Sequence, residues 1–211
     1  MSNYEKRRQK ALLKKRRKDK ERRKKRSRNS DVDEYSHSVR LIKNAKNYPL
    51  HECLINDGWE DQGLAQILLS RIQPNNKLII GVYLVDIYCL GLKNTFCNSN
   101  ISLEKYQGLK LGTFKETAPT PCLPGKALKI ITGAIEYAKK LGFEPQKDFH
   151  LSRFVLEGLP ESDYDFAIEF GREGKPLYIA GPDDDSKTII KTLVENVGEG
   201  NFDFIAPLEL E

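Results

Sequence analysis

The sequence lacks an apolar run long enough to cross a membrane, because its most apolar stretch, residues 78–92, is interrupted by Asp86. It also lacks a secretory signal, since the basic N-terminal residues are followed by polar residues and not by an apolar run with a cleavage site. The second residue is Ser2, whereas N-myristoylation needs glycine there. These absences predict a soluble, cytoplasmic protein that has no membrane partner.

Cysteine and histidine are scarce, and their spacing matches no metal-binding motif. The four cysteines, Cys53, Cys89, Cys97 and Cys122, form no Cys-x-x-Cys pair, and no His-x-x-x-His pair occurs. We therefore expect no structural zinc, and thiols that are free, as in a reducing compartment. His51 and Cys53 are separated by one residue, which leaves a Cys/His nucleophile pair as an alternative to small buried thiols.

Glycine-rich phosphate loops are missing as well. The sequence contains neither the dinucleotide fingerprint nor the Walker pattern that ends in Gly-Lys-Ser/Thr. No EF-hand spacing follows the acidic run Asp183–Asp185. The sequence therefore predicts no cofactor and no metal, and it favours a non-enzymatic protein.

What the sequence has in excess is positive charge at its N-terminus. Residues 1–30 hold 16 Lys and Arg against three acids, a net charge of +13, whereas the remaining residues hold 19 and 27, a net charge of −8. A charge asymmetry of this size indicates a polyanion-binding arm. The cations of the arm are the candidate nucleic-acid-binding residues: Lys6, Arg7, Arg8, Lys10, Lys14, Lys15, Arg16, Arg17, Lys18, Lys20, Arg22, Arg23, Lys24, Lys25, Arg26 and Arg28.

The same basic residues predict an arm without a stable fold of its own. Residues 5–28 are good helix formers, but like charges at i,i+4 repel one another and only Ala11–Leu13 form an apolar cluster. We expect disorder or a fluctuating helix at residues 1–30 and a flexible linker at residues 31–38, because the composition changes to Ser, Asn and Asp from Ser27 to Ser38. A single domain is expected at residues 39–211.

The chemistry of the arm favours nucleic acid as its partner. Lys and Arg bind phosphate through charge, and the release of counterions makes such binding strong, salt-dependent and independent of base sequence. Tyr4 is the only aromatic residue of the arm, so base stacking contributes little. We predict binding to RNA or a ribonucleoprotein rather than DNA. A nuclear localisation signal and a solubilising tail remain alternatives, and an anionic membrane surface is disfavoured because the arm has no apolar face.

The remaining sequence predicts a mainly antiparallel sheet built of hairpins. Residues 64–72 fit a helix or a strand by periodicity, but they are followed by the turn Gln73–Lys77 and by residues 78–90, which are rich in β-branched and aromatic residues. This pattern indicates a hairpin whose second strand is long and mostly buried. A second hairpin is predicted from residues 165–170 and 176–180, on either side of a glycine-containing turn.

Three helices are predicted from apolar stripes at helical spacing and from capping residues. They are residues 126–141 with Gly142 as the stop, a shorter helix from the cap Asp148 through Leu156, and a third helix from the cap Asp185 or Ser186 to Gly198. Helices on one face of a mainly antiparallel sheet define an α+β fold, which is the fold class that we expect.

Acidic residues of the domain support an alternative function, a metal-dependent nuclease or phosphoryl hydrolase. Such an enzyme needs two or three carboxylates that hold Mg²⁺ and activate water. The ordinary interpretation is that acidic runs make turn and cap hydrogen bonds, and that Asp86 faces solvent at a bend or pairs with a buried Arg or Tyr. The candidates are Asp57, Glu60, Asp61, Asp183, Asp184, Asp185 and Asp86, the last of which interrupts the apolar strand.

Two blocks of the domain are distinctive. The first runs from Asn56-Asp57-Gly58-Trp59 to Gly91-Leu92-Lys93-Asn94-Thr95-Phe96, and the second from Gly181-Pro182-Asp183-Asp184-Asp185 to Val197-Gly198-Glu199-Gly200-Asn201-Phe202. These blocks resemble a family of uncharacterised bacterial proteins, over residues 48–205 and without the basic arm. The resemblance implies one intact domain of unknown function and no activity, ligand or catalytic residue. A protein-interaction module whose acidic face contacts its own arm is a third functional alternative.

Overall fold

The structure of the protein is a computed structural model that describes residues 33–160 and 167–206. The chain divides into two units, Met1–Arg40 and Leu41–Glu211, a boundary close to the predicted start of the domain. Residues 33–43 are helical. A helix therefore occupies most of the stretch for which composition predicts a flexible linker.

Helices and strands alternate irregularly along the described residues. The helices are α1 (33–43), α2 (Trp59–Gln62), α3 (Leu103–Thr113), α4 (Pro124–Lys140), α5 (Phe149–Leu156) and α6 (Ser186–Val197), with a 3₁₀ turn at Ala45–Asn47. The strands are β1 (Leu50–Asn56), β2 (Leu64–Ile72), β3 (Leu78–Asp86), β4 (Gly91–Ile101), β5 (Pro119–Pro121), β6 (Leu177–Ile179) and β7 (Asp203–Ile205). None of the helices in this part of the chain combines the length and the hydropathy that crossing a bilayer requires.

Five strands form one antiparallel sheet in the order β4-β3-β2-β1-β5. The predicted hairpin is its centre, since β2 pairs with β3 from Leu64–Asp86 to Ile72–Leu78, and the mostly buried second strand is confirmed. That strand ends at Asp86, however, and not at Leu90 as predicted. Residues 87–90 form the turn into β4, a strand that the sequence did not reveal.

The two faces of the sheet are covered unequally. The larger hydrophobic cluster lies against α4 and α5 and includes Ile67, Tyr83, Ile131 and Val155, all of which have no exposed surface. Burial of these side chains supplies most of the non-directional stabilisation of the fold. The α+β class, the mainly antiparallel sheet and the packing of α4 against one of its faces are as predicted.

Helix α3 lies on the opposite face, where no helix was expected. Its one buried residue, Tyr106, packs in a smaller cluster with Leu68. The Tyr106 hydroxyl donates to Glu52 Oε2 at 2.7 Å and accepts from Ser70 Oγ at 3.2 Å, while Lys110 Nζ lies 3.2 Å from the same Glu52 oxygen. A polar network therefore holds α3 to β1 and β2 in addition to the apolar packing of Tyr106.

The predicted ends of the helices are largely as observed. Gly142 follows α4 with a φ of +92°, which glycine adopts without strain, and Asp185 caps α6 by accepting from Thr188 N at 3.3 Å. Asp148 occupies the N-cap position of α5, but its side chain makes no capping hydrogen bond. Its carboxylate instead accepts from Gln146 Nε2 at 3.3 Å, so the predicted cap is wrong in its chemistry.

The predicted second hairpin is wrong within the described residues. Arg172 and Lys175 form a single antiparallel bridge across the expected turn, but residues 167–170 are not a strand. Strand β6 pairs instead with β7, in parallel, as a separate two-stranded sheet. Helix α6 makes the connection between these two strands, as a parallel pair requires a long crossover.

A buried arginine joins three segments of the domain. Arg71, at the end of β2, is 3% exposed and donates from Nε to Val155 O at 3.0 Å, from Nη1 to Tyr48 O at 3.0 Å and from Nη2 to Glu157 O at 2.6 Å. Burial lowers the pKa of the guanidinium from its usual value. Val155 and Glu157 lie at the C-terminal end of α5, where the helix dipole is negative and favours a cation.

Replacing this arginine tests how much of the fold depends on it. Arg71→Lys keeps the charge but cannot donate to three separated carbonyls, so we expect a loss of about 2–4 kcal/mol in the free energy of unfolding. Arg153→Lys, on the exposed side of α5, is the matched control and should change it by less than about 0.5 kcal/mol. Urea denaturation followed by circular dichroism measures the free energy of unfolding of both variants. Similar losses in the two would contradict the role of Arg71 in anchoring α5 to the sheet.

Two helical glycines provide a matched test of the packing of α4. A Cβ built on Gly133 would lie 2.5 Å from Cζ of Phe170, whereas one built on Gly108 in α3 meets nothing within 4 Å. Gly108→Ala should therefore stabilise the protein by about 0.5–1 kcal/mol through helix propensity. Gly133→Ala should destabilise it by about 1 kcal/mol, because overpacking against Phe170 costs more free energy than the gain in helix propensity supplies. Thermal denaturation compares them, and stabilisation by both would show that Phe170 does not pack there.

Candidate functional site

The sixteen basic residues that the sequence predicts as nucleic-acid-binding, from Lys6 to Arg28, lie outside the described residues. The structure does place the predicted carboxylates and cysteines. Several of them lie around the turn of residues 87–90, between β3 and β4, and in the loop that precedes α6. The geometry of these groups decides what they can do chemically.

Asp86 closes the turn that follows β3. Its Oδ1 accepts hydrogen bonds from Tyr88 N at 2.8 Å and Cys89 N at 2.9 Å, and the side chain is buried, with 7% of the residue exposed. Burial raises the pKa of Asp86; backbone N–H groups of the turn and the charge of Lys93 oppose this only in part. Asp86 thus lies at a bend, but it faces the interior and its partners are backbone amides, not Arg or Tyr.

The consecutive acids before α6 have different partners. Asp184 Oδ2 accepts from Lys93 Nζ at 2.8 Å and from Gly181 N at 2.8 Å, while Asp185 accepts from the Thr188 hydroxyl at 2.7 Å as well as from its N–H. Burial raises the pKa of Asp184, but the Lys93 ammonium and the Gly181 N–H together have the larger effect and hold the pKa below its usual value. The predicted turn and cap hydrogen bonds of this acidic run are confirmed.

Lys93, whose ammonium is paired with Asp184, lies in the wall of a cavity of about 210 Å³. Asp86, Tyr88, Gly63 and Leu177 are also in its wall. The ammonium of Lys93 already contacts a carboxylate, and Asp86 already accepts from its own turn. The cavity has room for a small ligand, but the polar groups in its wall already join β4 to the loop before α6.

A second cavity, of about 370 Å³, is lined by Trp59 and by two more of the predicted carboxylates, Glu60 and Asp61. Lys126 Nζ is 3.2 Å from Glu60 Oε1 and 5.1 Å from the centre of the Trp59 ring. The predicted carboxylates thus do not converge on one cavity: Asp86 lines the smaller one, Glu60 and Asp61 line the larger one, and the other four line neither. Among residues 33–160 and 167–206, no three His, Cys, Asp or Glu side chains are grouped so that they could hold a metal ion.

The cysteines come together in a way that sequence spacing did not reveal. Cys89 lies in the cluster beneath α6 and Cys97 packs against the main cluster, so these two do not form a pair. His51 contacts the Tyr106 ring, with 5.8 Å between ring centres. Cys53, two residues after His51, is instead opposite Cys122 across the sheet, 69 residues away, and no local pattern could have indicated this.

Substitution of Asp86 tests whether its carboxylate caps the turn after β3. Asp86→Asn keeps an acceptor for the turn amides and removes a buried charge, so we expect equal or higher stability at neutral pH, whereas Asp86→Ala should lose about 2 kcal/mol. Because burial raises the pKa of Asp86 in the folded state, ionisation of its carboxyl lowers the stability of the fold. This loss of stability is complete above the folded-state pKa and disappears below the unfolded value near 3.8. The advantage of the Asn variant should accordingly shrink as pH falls.

Urea denaturation of both variants over a pH series measures these differences. An Asn variant as unstable as the Ala variant would contradict the capping role of Asp86.

The two sequence blocks that resemble a bacterial family meet at the smaller cavity. Asp86 and Lys93 belong to the first block, and Gly181 and Asp184 belong to the second. Membership of that family stays a prediction. No known protein family, curated protein or solved structure matches the chain.

Proposed function

We propose that the protein is a non-enzymatic nucleic-acid-binding protein that contacts RNA, or the RNA of a ribonucleoprotein, through the basic arm, residues 6–28. The observation that carries this proposal is the net charge of +13 in residues 1–30, against −8 in the rest of the chain. A phosphate backbone is attracted by the first part and repelled by the second, so the contact is confined to the arm.

The described carboxylates support binding rather than cleavage. Asp86 accepts from two backbone amides, Asp184 from Lys93 and Gly181, and Asp185 from Thr188. A metal-dependent hydrolase needs carboxylate oxygens that are directed at an ion and at each other. These oxygens already accept hydrogen bonds from backbone amides, the Thr188 hydroxyl and the Lys93 ammonium, so we assign affinity to the arm and no hydrolytic step to the domain.

The number of phosphates contacted determines how the binding responds to salt. If about six of the cations contact a single strand, the logarithm of the association constant falls with the logarithm of salt concentration with a slope of about −4. Little dependence on base sequence is expected, since the arm has a single aromatic residue, Tyr4. Structured RNA should bind more tightly than duplex DNA, because a cationic chain can follow its irregular grooves.

The test compares two variants that lose equal charge. The first carries Lys15→Gln, Arg16→Gln and Arg17→Gln in the arm, and the second carries Lys105→Gln, Lys115→Gln and Lys140→Gln at exposed positions of the domain. The arm variant should bind fluorescent RNA more weakly and with a salt slope smaller by up to about 2, because each single-strand contact contributes ~0.7. The domain variant should bind as the unchanged protein does.

Fluorescence anisotropy over a salt series provides both affinity and slope. A chain without residues 1–30 should lose the salt-sensitive binding altogether. Equal weakening by the two triple variants, or unchanged affinity after the deletion, would show that the arm is not the binding element. Tighter binding to anionic vesicles than to RNA would assign the arm to a membrane surface instead.

A further inference from the structure

Two cysteines face each other across the edge of the sheet. Strands β1 and β5 pair antiparallel with Leu54 opposite Pro121 and Ile55 opposite Thr120, and the Cys122 N–H donates to Cys53 O at 2.9 Å. Cys122 is therefore directly opposite Cys53 in the antiparallel pair. Directly opposed side chains lie on the same face with Cβ atoms about 4.5–5.5 Å apart, close to the ~3.5–4.5 Å that a disulfide spans.

The surroundings of the two sulfur atoms differ. A hydrogen bond from the Cys53 thiol lowers the pKa of Cys122; burial opposes this, while the charge of Lys126 and the Ala127 N–H, in the first turn of α4, lower the pKa further. The pKa of Cys53 is raised by the same contact with Cys122 and by burial. In its neutral form the Cys122 thiol also donates to Leu123 O at 3.5 Å. Of the pair, Cys122 is thus the sulfur that ionises first.

Access to solvent follows the same order. Cys53 is 7% exposed, whereas Cys122 is only half-buried, next to Leu123, which is 54% exposed. Strand β5 is at the edge of the sheet, so a small molecule can approach Cys122 from outside. A thiolate that is accessible, with a second thiol directly opposite it on the neighbouring strand, is the arrangement of a reactive cysteine with its resolving partner.

We propose that Cys122 and Cys53 form a redox-active dithiol site that peroxide converts to a disulfide. The Cys122 thiolate attacks one oxygen of hydrogen peroxide, the O–O bond breaks, and Cys122 sulfenic acid and hydroxide form. The Cys53 sulfur then attacks the Cys122 sulfur; its proton and the departing hydroxide leave as water. Two electrons pass from the two sulfurs to the peroxide, and the net products are one disulfide and two waters. This site lies in the domain and does not depend on RNA binding by the arm.

The other two cysteines provide an internal comparison. Burial raises the pKa of Cys97 to about 11, and burial also raises the pKa of Cys89, which has no exposed surface. Neither is opposed by a second thiol in the described sheet. Peroxide should therefore act at the Cys122–Cys53 pair and leave these two thiols reduced.

The experiment uses the reduced full-length chain treated with hydrogen peroxide. Free thiols are then alkylated and the chain is digested for mass spectrometry. We expect a cross-linked peptide that joins Cys53 to Cys122, with Cys89 and Cys97 alkylated. Cys122→Ser should abolish the reaction, Cys53→Ser should accumulate a sulfenic acid that dimedone captures at Cys122, and Cys97→Ser should behave as the unchanged protein.

Two further measurements keep the test decisive if a serine variant does not fold. The rate of cross-linking in the unchanged protein should rise with pH and level off below the ordinary pKa of a cysteine thiol, near 9. Lys126→Gln should slow the reaction several-fold at neutral pH. Oxidation at Cys89 or Cys97 in preference to the pair would overturn the proposal. So would a rate no faster than that of a free small thiol.

Discussion

The arrangement of the domain depends on a buried guanidinium, that of Arg71, whose three hydrogen bonds all go to backbone carbonyls. Arg71 leaves the sheet at the end of β2 and donates to three backbone carbonyls, two of them at the C-terminal end of α5. Hydrophobic burial is non-directional, so the main cluster alone does not determine where α5 lies along the sheet. The hydrogen bonds of Arg71 determine the position of α5, and two more hydrogen bonds contribute to it. Tyr83 donates to Ser152 O at 2.9 Å, and Thr95 donates to Ser152 Oγ at 2.8 Å.

Directed hydrogen bonds also account for the arrangement of two of the carboxylates that the sequence suggested for catalysis, Asp86 and Asp184. A carboxylate can accept several N–H bonds, so it is an efficient cap for a turn or a helix. Asp86 caps the turn after β3, and Asp184 joins Lys93 of β4 to the loop before α6. The ion pair ties the C-terminal part of the domain to the five-stranded sheet. The functional candidates are therefore the arm, through its charge, and the Cys53–Cys122 pair, through its position.

The parts of the fold that could be predicted are those set by local pattern. The hairpin of β2 and β3 follows from two apolar runs around a turn, and α4 from a long stripe that ends at Gly142. Strand β4 was missed because its outer face is polar, with Asn94 and Asn98 at alternate positions, and α3 because only Tyr106 is buried. The pairing of β6 with β7 was missed since a short turn favours a hairpin with the neighbouring segment.

The candidate sites were less predictable than the elements, because their members are far apart in sequence. Charge identifies an arm by composition alone, whereas the Lys93–Asp184 and Cys53–Cys122 contacts join residues 91 and 69 positions apart. The two kinds of site also respond to different variables. The attraction proposed between the arm and phosphate would be screened over about 8 Å at physiological salt, while the short bonds of Arg71 and Asp86 are buried and largely unscreened. Raising the salt concentration is therefore expected to weaken the proposed binding without changing the fold around Cys53 and Cys122.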